Sequence, residues 1–460
     1  MSTPEHQPTL HANKQMSNPH QQFIPSSIMD LFSPCRPVHS LTALFVTWKG
    51  FLLAVALGAA IAPGYDTSTS LFFERMYGPN ATIPTTAAKL TRWDALYFMH
   101  SAIKGHVYEQ EWAFGLGLPT LVGAMARPLS NMTPPAYALE PVVAIYLSHL
   151  SHLVAVLCLH RLTVMLSGNP RLAFLSAALH ILSPAGLFLS APYNESPFAC
   201  LSFLGNLLFA VGLRSNQAQR LRRHVAVVTA GILFGLATTF RSNGLTSGLL
   251  FAVEAVNGLR MFASSRRAGH LVSVAVAVLG GLCVAAGSVV PQTLAWMRYC
   301  AKDGVSRPWC DKMVPSIYTF VQEHYWNVGF MRYWTLNQVP LFLLATPMLA
   351  ILLKSGVELV RHPQQVASIP GSGKDSNELG CNLFVRALAG SQAVVAVLAI
   401  TTYHVQIITR ISSGYPVWYW WVAGCLMDKR RQRLGGAMVM FMMLYGGIQG
   451  GLFASFLPPA

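Results

Sequence analysis

Long apolar stretches alternate with polar segments along most of the 460-residue chain. A helix that crosses a bilayer needs about 20 mainly apolar residues. Candidate spans lie near residues 41–62, 138–166, 171–190, 197–213, 225–241, 244–259, 270–296, 338–353, 384–403, 416–427 and 435–456. The pattern predicts an all-α polytopic membrane protein with about eleven transmembrane helices, or as few as eight if short stretches such as 244–259 and 416–427 do not span.

The segment before the first apolar stretch, residues 1–40, is polar and predicts a disordered tail. It lacks the basic, then apolar, then small-residue pattern of a cleaved signal peptide. We therefore expect the stretch at 41–62 to be an uncleaved membrane anchor. The rest of the chain, 41–460, is expected to form a single multispan domain.

The composition also indicates a membrane protein. Hydrophobic residues make up 53% of the chain and charged residues 11%, whereas soluble domains carry roughly 25% charged residues. Because so few charged side chains cannot cover a soluble protein of this size, a soluble enzyme, a disordered scaffold and a nucleic-acid-binding module are poor fits.

The net charge of +15 is unevenly distributed along the chain. If the N-terminus is cytosolic and successive spans alternate in direction, the basic clusters at 220–223 and 429–433 both face the cytosol. This is the positive-inside bias of membrane proteins. The two long polar segments, 63–137 and 297–337, then share the lumenal side, where we expect the chemistry.

The first long loop concentrates acidic and aromatic side chains. Asp94, Glu109 and Glu111 lie among Trp93 and Trp112. Aromatic faces stack on sugar rings while carboxylates bind hydroxyls, and a partly desolvated carboxylate serves as a general base. The alternative is an amphipathic interfacial helix with its aromatic rings at headgroup depth. The order of residues does not tell which acid is the base.

Two further predicted lumenal turns carry ionisable groups. Glu195 follows A-P-Y-N at the mouth of two spans, and Arg241 and Asn243 lie in R-S-N-G at a span end. An arginine there can bind a phosphate through two parallel hydrogen bonds. The alternative is an arginine that anchors its helix at the membrane interface.

The second long loop contains a predicted disulfide between Cys300 and Cys310, since it faces an oxidising compartment. Asn80 begins the sequon Asn-Ala-Thr, which predicts N-glycosylation in the first loop. The aromatic set I-S-S-G-Y-P-V-W-Y-W-W at 411–421 is typical of an interfacial aromatic belt.

Missing motifs narrow the reaction class. The sequence contains no D-x-D, the metal-binding signature of many nucleotide-sugar transferases, and no G-x-x-x-x-G-K-[ST], G-x-S-x-G or H-E-x-x-H motif. No metal site is therefore predicted, although a metal requirement stays open.

Five blocks together resemble the PIG-V family of GPI mannosyltransferases. They are R-W-D-A-L-Y-F with Y-E-Q-E-W-A-F, S-P-A-G-L-F-L-S-A-P-Y-N-E-S, R-S-N-G-L, R-Y-W-T-L-N-Q-V-P and S-S-G-Y-P-V-W-Y-W. They occur in this order between residues 92 and 420, and the likeness extends over roughly 41–456.

The resemblance implies a GT-C type transferase in the endoplasmic reticulum. Such an enzyme adds the second mannose, in α-1,6 linkage, to the GPI precursor glycolipid, with dolichol-phosphate mannose as donor. It also suggests a small membrane partner subunit. No cofactor is implied with certainty.

The resemblance further implies roles for individual residues. Asp94 matches the general base of an inverting displacement, with a helix cap or a pair with Arg92 as the structural alternative. The matching blocks also imply a set of substrate-binding residues. These are Arg92, Trp93, Glu109, Gln110, Glu111, Trp112, Glu195, Arg241, Asn243, Tyr333, Trp334 and Gln338.

Three other functions remain open from the sequence. A transporter or flippase would move a sugar lipid without chemistry, but the internal symmetry typical of transporters is not visible. A non-catalytic subunit would use the acids only to support its fold. Another GT-C mannosyltransferase would act on a protein or an N-glycan precursor.

Overall fold

The computed structural model describes residues 36–59, 64–134, 136–215, 219–301, 307–367 and 376–457. Most of the predicted tail at 1–40 lies outside these ranges. The first helix begins at Pro37, within the last residues assigned to that tail. Proline fits the first turn of a helix because the amide it lacks would have no partner there.

All regular elements in the described ranges are helices, with no β-sheet and only an isolated bridge between Thr82 and Tyr137. The helices of the first half are α1 Pro37–Gly58, α2 Ser68–Tyr77, α3 Thr85–Leu90, α4 Ala95–Lys104, α5 Gly117–Leu129, α6 Leu139–Ser167, α7 Pro170–Ile181, α8 Glu195–Arg214 and α9 Arg220–Phe240. Those of the second half are α10 Gly248–Ser265, α11 Ala268–Tyr299, α12 Ile317–Trp326, α13 Val339–Arg361, α14 Ser376–Thr401, α15 Ile408–Ile411, α16 Val417–Met427 and α17 Gln432–Ala454.

Eight helices in the described ranges are long and apolar enough to cross a membrane. They are α1, α6, α8, α9, α11, α13, α14 and α17. This confirms the all-α polytopic fold class, but not the count of about eleven spans. The stretch predicted at 171–190 forms only the 12-residue α7, since the chain turns at Ser183-Pro184, and α16 has 11 residues.

The helix α10 also falls short of a span because its apolar sequence is interrupted by Glu254. That carboxylate forms an ion pair with Arg223 of α9, so the charge is neutralised by a neighbouring helix. An ionisable group at membrane depth is costly unless it is paired in this way.

Small residues let α9 and α11 pack closely. A Cβ atom added to Gly231 would lie 2.6 Å from the Cα of Gly280. Only glycine allows two helix backbones to come this near, as in other membrane bundles. The contact holds α9 against α11.

The aromatic set at 411–421 lies inside the bundle, so its interpretation as an interfacial belt is wrong. Trp418, Trp420 and Trp421 are almost fully buried. Their indole N–H groups donate within the protein, to the Ser412 carbonyl, the Thr163 hydroxyl and a Glu358 carboxylate oxygen. Buried tryptophans need such partners, whereas belt residues would direct the N–H toward the headgroups.

Candidate active site

A cavity of about 640 Å³ lies where the first long loop meets the ends of α8, α9 and α11. It falls in the size range of small-molecule sites, about 300–1,000 Å³. Among the residues predicted from sequence, it is lined by Trp93, Asp94, Trp112, Arg241 and Asn243. The structure thus brings together residues from the first loop and from the R-S-N-G turn.

Asp94 stands immediately before α4 and faces this cavity. A carboxylate is favourable at a helix N-terminus, yet its side chain makes no capping hydrogen bond. Its ion pair is with Arg410 rather than with Arg92, at 3.1 Å between Oδ2 and Nη1. Neither structural alternative for Asp94 therefore describes its contacts, and with 35% of its side chain exposed it stays accessible to a substrate.

The backbone just before Asp94 is strained. Trp93 has a φ of +55°, a conformation that bulky residues rarely adopt and that costs about 1–3 kcal/mol. Its indole Nε1 is buried and has no hydrogen-bond partner among the described residues. Such strain is often found at functional sites, and here it directs Trp93 and Asp94 into one cavity.

Glu195 lies behind the cavity wall as the first residue of α8, and its side chain is fully buried. Its Oε1 accepts hydrogen bonds of 2.7 Å from Arg241 and 2.7 Å from Arg410. Arg410 also pairs with Asp94, so two arginines and two carboxylates form one ion-pair cluster next to the cavity. Arg241 is 14% exposed and points inward, so it does not act as an interface anchor.

Arg410 is the main residue that the sequence interpretation missed. It lies on the short α15, contacts both Glu195 and Asp94, and lines the cavity. Burial disfavours its charged form, but the two carboxylates outweigh burial and raise its pKa. It is the single Lys or Arg between the predicted spans at 384–403 and 416–427, a signal that could have identified it.

Two hydrogen bonds attach the first loop to the segment that precedes α8. The Tyr193 hydroxyl donates to the Arg92 carbonyl at 2.9 Å, and the Asn194 amide donates to the Phe114 carbonyl at 2.7 Å. Arg92 therefore supports the loop through its backbone and is not in the cavity lining. Glu195 follows Asn194 in the chain, so these two bonds fix the position of Glu195 relative to the R-W-D motif of the first loop.

Close packing also fixes the loop against α9. Gly115 has a φ of +90°, and a Cβ added there would lie 2.6 Å from the Phe240 carbonyl oxygen. Only glycine fits both the conformation and the space. Arg241 follows Phe240, which brings it beside the loop.

Asn243 and Tyr333 serve the site in different ways. Asn243 lines the cavity and donates to the Tyr415 hydroxyl at 3.1 Å. Tyr333 lies behind the lining, where it stacks on His404 and donates to Gln406, both of which line the cavity. Burial lowers the pKa of His404.

The other acids of the first loop do not line the cavity. Glu109 accepts hydrogen bonds from Trp309 at 3.1 Å and Tyr325 at 3.3 Å, which joins the first long loop to the second. Glu111 accepts from the backbone of Tyr108 and pairs with His100. Both carboxylates thus hold loop structure.

The remaining predicted binding residues, Gln110, Trp334 and Gln338, also lie outside the cavity lining. Trp334 is half exposed and donates to the Ile400 carbonyl at 2.8 Å. No side-chain hydrogen bond within the described ranges fixes Gln110 or Gln338 in the site. Asn80 is exposed in a turn, where a glycan can be attached.

The second long loop is closed by a disulfide between Cys300 and Cys310. Trp309, adjacent to this disulfide, is the fully buried partner of Glu109. In the part of the chain that the structure describes, no group of three or more His, Cys, Asp or Glu side chains is placed to hold a metal ion.

The family match and the similar proteins of known name are all mannosyltransferases. Residues 43–460 match the family described as Mannosyltransferase (PIG-V). A Gibberella zeae protein named GPI mannosyltransferase 2 is 55% identical over 425 residues, which is 92% of this chain and 98% of the relative. A Cricetulus griseus protein named GPI alpha-1,6-mannosyltransferase 2 is 33% identical over 383 residues, or 74% of each chain.

Among solved structures, the archaeal oligosaccharyltransferase AglB from Archaeoglobus fulgidus, in complex with an inhibitory peptide and a dolichol-phosphate, aligns with a TM-score of 0.44 and 12% identity. The alignment covers 89% of this chain and 56% of that one. This chain therefore spans little more than half the length of that structure.

Proposed function

Because the chain belongs to the mannosyltransferase (PIG-V) family, we propose that the cavity beside Asp94 is the active site at which it transfers mannose. The enzyme is an α-1,6-mannosyltransferase of GPI-anchor synthesis and adds the second mannose to the GPI precursor. One observation carries the site assignment: Asp94, Arg241 and Arg410 converge on a single cavity of about 640 Å³.

The donor in this proposal is dolichol-phosphate mannose, as in a GT-C type enzyme. The cavity wall includes Gly287, Ser288 and Pro291 of the membrane helix α11, which suits a sugar that arrives on a lipid. Arg241 and Arg410 supply the positive charge for the phosphate. Arginine binds phosphate through paired, charge-assisted hydrogen bonds, and such fixed charges stabilise negative charge as it develops on a leaving group.

The reaction is a single inverting displacement. The acceptor hydroxyl transfers its proton to Asp94 while its oxygen attacks C1 of the donor mannose. The bond between C1 and the phosphate oxygen breaks, and dolichol phosphate leaves with the electron pair. Because the proposed donor is β-linked and the product α-linked, one displacement gives the α linkage without a covalent enzyme intermediate.

Aromatic and amide groups position the sugar. Trp93 and Trp112 line the cavity and offer faces for stacking. Asn243 adds an amide at the same wall. Glu109 and Glu111 hold the loops in this proposal and do not touch the substrate.

The cellular setting follows from the same assignment. We place this multi-pass protein in the endoplasmic reticulum with its N-terminus in the cytosol and the cavity facing the lumen. Its macromolecular partner would be a small membrane subunit. The alternative acceptors, a protein or an N-glycan precursor, use the same donor and differ only in what fills the acceptor part of the cavity.

The proposed donor and acceptor are tested together in membranes that lack the endogenous enzyme and contain the wild-type chain. Labelled dolichol-phosphate mannose and labelled GDP-mannose are supplied separately, with synthesis of the lipid donor blocked in the second case. We expect a two-mannose GPI product with an α-1,6 linkage from the lipid donor alone. Transfer from GDP-mannose under the block would contradict the donor, and label only in protein or N-glycan precursors would contradict the acceptor.

A further inference from the structure

A second cavity, of about 380 Å³, lies between α6, α8 and α9 and is lined by arginines. Arg161, Arg214 and Arg222 line it. The other lining residues are Val164, Met165, Val211, Ser215 and Gln219. The described lining therefore contains three positive charges and no carboxylate.

This cavity is remote from the candidate active site. The helix α8 starts at Glu195, in the active-site cluster, and ends at Arg214. At 1.5 Å per residue, its 20 residues span about 30 Å, the thickness of the hydrocarbon core. The helix α9 likewise runs from Arg220 to the residue before Arg241. The arginine cavity thus lies at the opposite membrane face.

The charges in this cavity call for an anion. Three arginines line one space with no carboxylate in the described lining, and the buried Nη2 of Arg214 has no hydrogen-bond partner in the described ranges. A buried donor without an acceptor costs about 1–3 kcal/mol. Nearby Arg223 shows the contrast, because the carboxylate of Glu254 balances its charge.

The rest of the lining indicates which kind of anion fits. Val164, Met165 and Val211 form an apolar wall beside the arginines. A free phosphate would use the arginines alone, whereas a phospholipid places its phosphate on them and its glycerol and upper acyl chain on the apolar wall. Basic pockets between transmembrane helices are known to bind anionic headgroups in this way.

We propose that this cavity binds the phosphate group of an anionic phospholipid from the leaflet opposite the active site, and that the lipid stabilises the bundle by joining α6, α8 and α9. The proposal is independent of the assigned reaction. A ligand that binds only the folded state raises stability in proportion to the logarithm of its concentration above Kd.

The test uses the purified full chain in a neutral detergent, with thermal unfolding followed as phosphatidylinositol is added. We expect the midpoint to rise saturably, and we expect phosphatidylcholine at the same concentrations to give less than a third of that rise. The double variant Arg161→Gln with Arg222→Gln should need at least tenfold more phosphatidylinositol for the same rise. The matched double variant Arg430→Gln with Arg433→Gln should behave as the wild type, since these exposed arginines lie in the α16–α17 turn and the first turn of α17.

Three results would overturn the proposal. An equal rise in the wild type and the cavity variant would show that the site does not bind the lipid. An equal rise with phosphatidylcholine would show that charge is irrelevant. A full rise with inorganic phosphate alone would assign the site to free phosphate. If the double variant fails to fold, the single variant Arg222→Gln is compared with the wild type by native mass spectrometry of the retained anionic lipid. The proposal requires the variant to retain less lipid than the wild type.

Discussion

Replacement of Arg410 by glutamine removes the group that links the two acidic motifs of the site. The wild-type guanidinium donates to Glu195 at 2.7 Å and to Asp94 at 3.1 Å, and lies 4.3 Å from the centre of the Phe188 ring. Removing one partner from a buried ion pair costs about 3–5 kcal/mol. Since Arg241 still pairs with Glu195, we expect the low end, about 3 kcal/mol.

The loss of catalysis should be similar in free energy to the loss of stability. Loss of one preorganised group that stabilises developing charge reduces kcat by about 10²–10³. Arg410→Lys keeps the charge, but its single ammonium cannot reproduce the two-sided guanidinium contact. We expect this variant to regain part of the stability and less than a tenth of the activity.

The assay combines mannose transfer from dolichol-phosphate mannose with thermal unfolding of the purified protein. Arg332→Gln is the control, because Arg332 forms an exposed pair with Glu323, each side chain being 44% exposed. Exposed pairs contribute about 0–1 kcal/mol. If Arg410→Gln matched Arg332→Gln in both activity and unfolding midpoint, the assigned role of Arg410 would be refuted.

Three further variants test the surrounding structure. Glu195→Gln leaves two inward-facing arginines without their shared carboxylate, and we expect a loss of about 3–5 kcal/mol in the free energy of unfolding, measured by denaturation in detergent. Cys310→Ser opens the loop that presents Trp309; it should lower the unfolding midpoint under oxidising conditions, while a reductant should bring the wild type to the same value. Lys49→Met removes the buried donor to the Leu189 carbonyl and the Ser190 hydroxyl and should cost about 1–3 kcal/mol; an unchanged midpoint would show that this contact contributes nothing.

The helical membrane fold and the main part of the site could be predicted from sequence, because each rests on a local pattern. Apolar runs of sufficient length define most spans. The R-W-D motif places Asp94 in the first long loop, and the R-S-N-G motif places Arg241 at a span end. The number of membrane-spanning helices is harder to predict from the sequence. Short apolar helices such as α16 have the composition of a span but are enclosed by other helices.

Tertiary contacts explain the remaining differences. Arg410 lies 316 residues from Asp94 in the chain, so no local pattern links them. A carboxylate among aromatic residues has the same sequence signature whether it faces a sugar or another loop. Glu109 belongs to the second case because its partners, Trp309 and Tyr325, come from the distant second loop.

The central claim, that Asp94 is the general base, is tested most directly by Asp94→Asn in membranes that lack the endogenous enzyme. Protein abundance and partner association are measured alongside transfer of labelled mannose. Asparagine keeps the size of the side chain but cannot accept the proton, and loss of a general base costs about 10²–10⁴ in rate. We predict that the one-mannose GPI intermediate accumulates while protein abundance stays normal. Full transfer of the second mannose by Asp94→Asn would contradict the account.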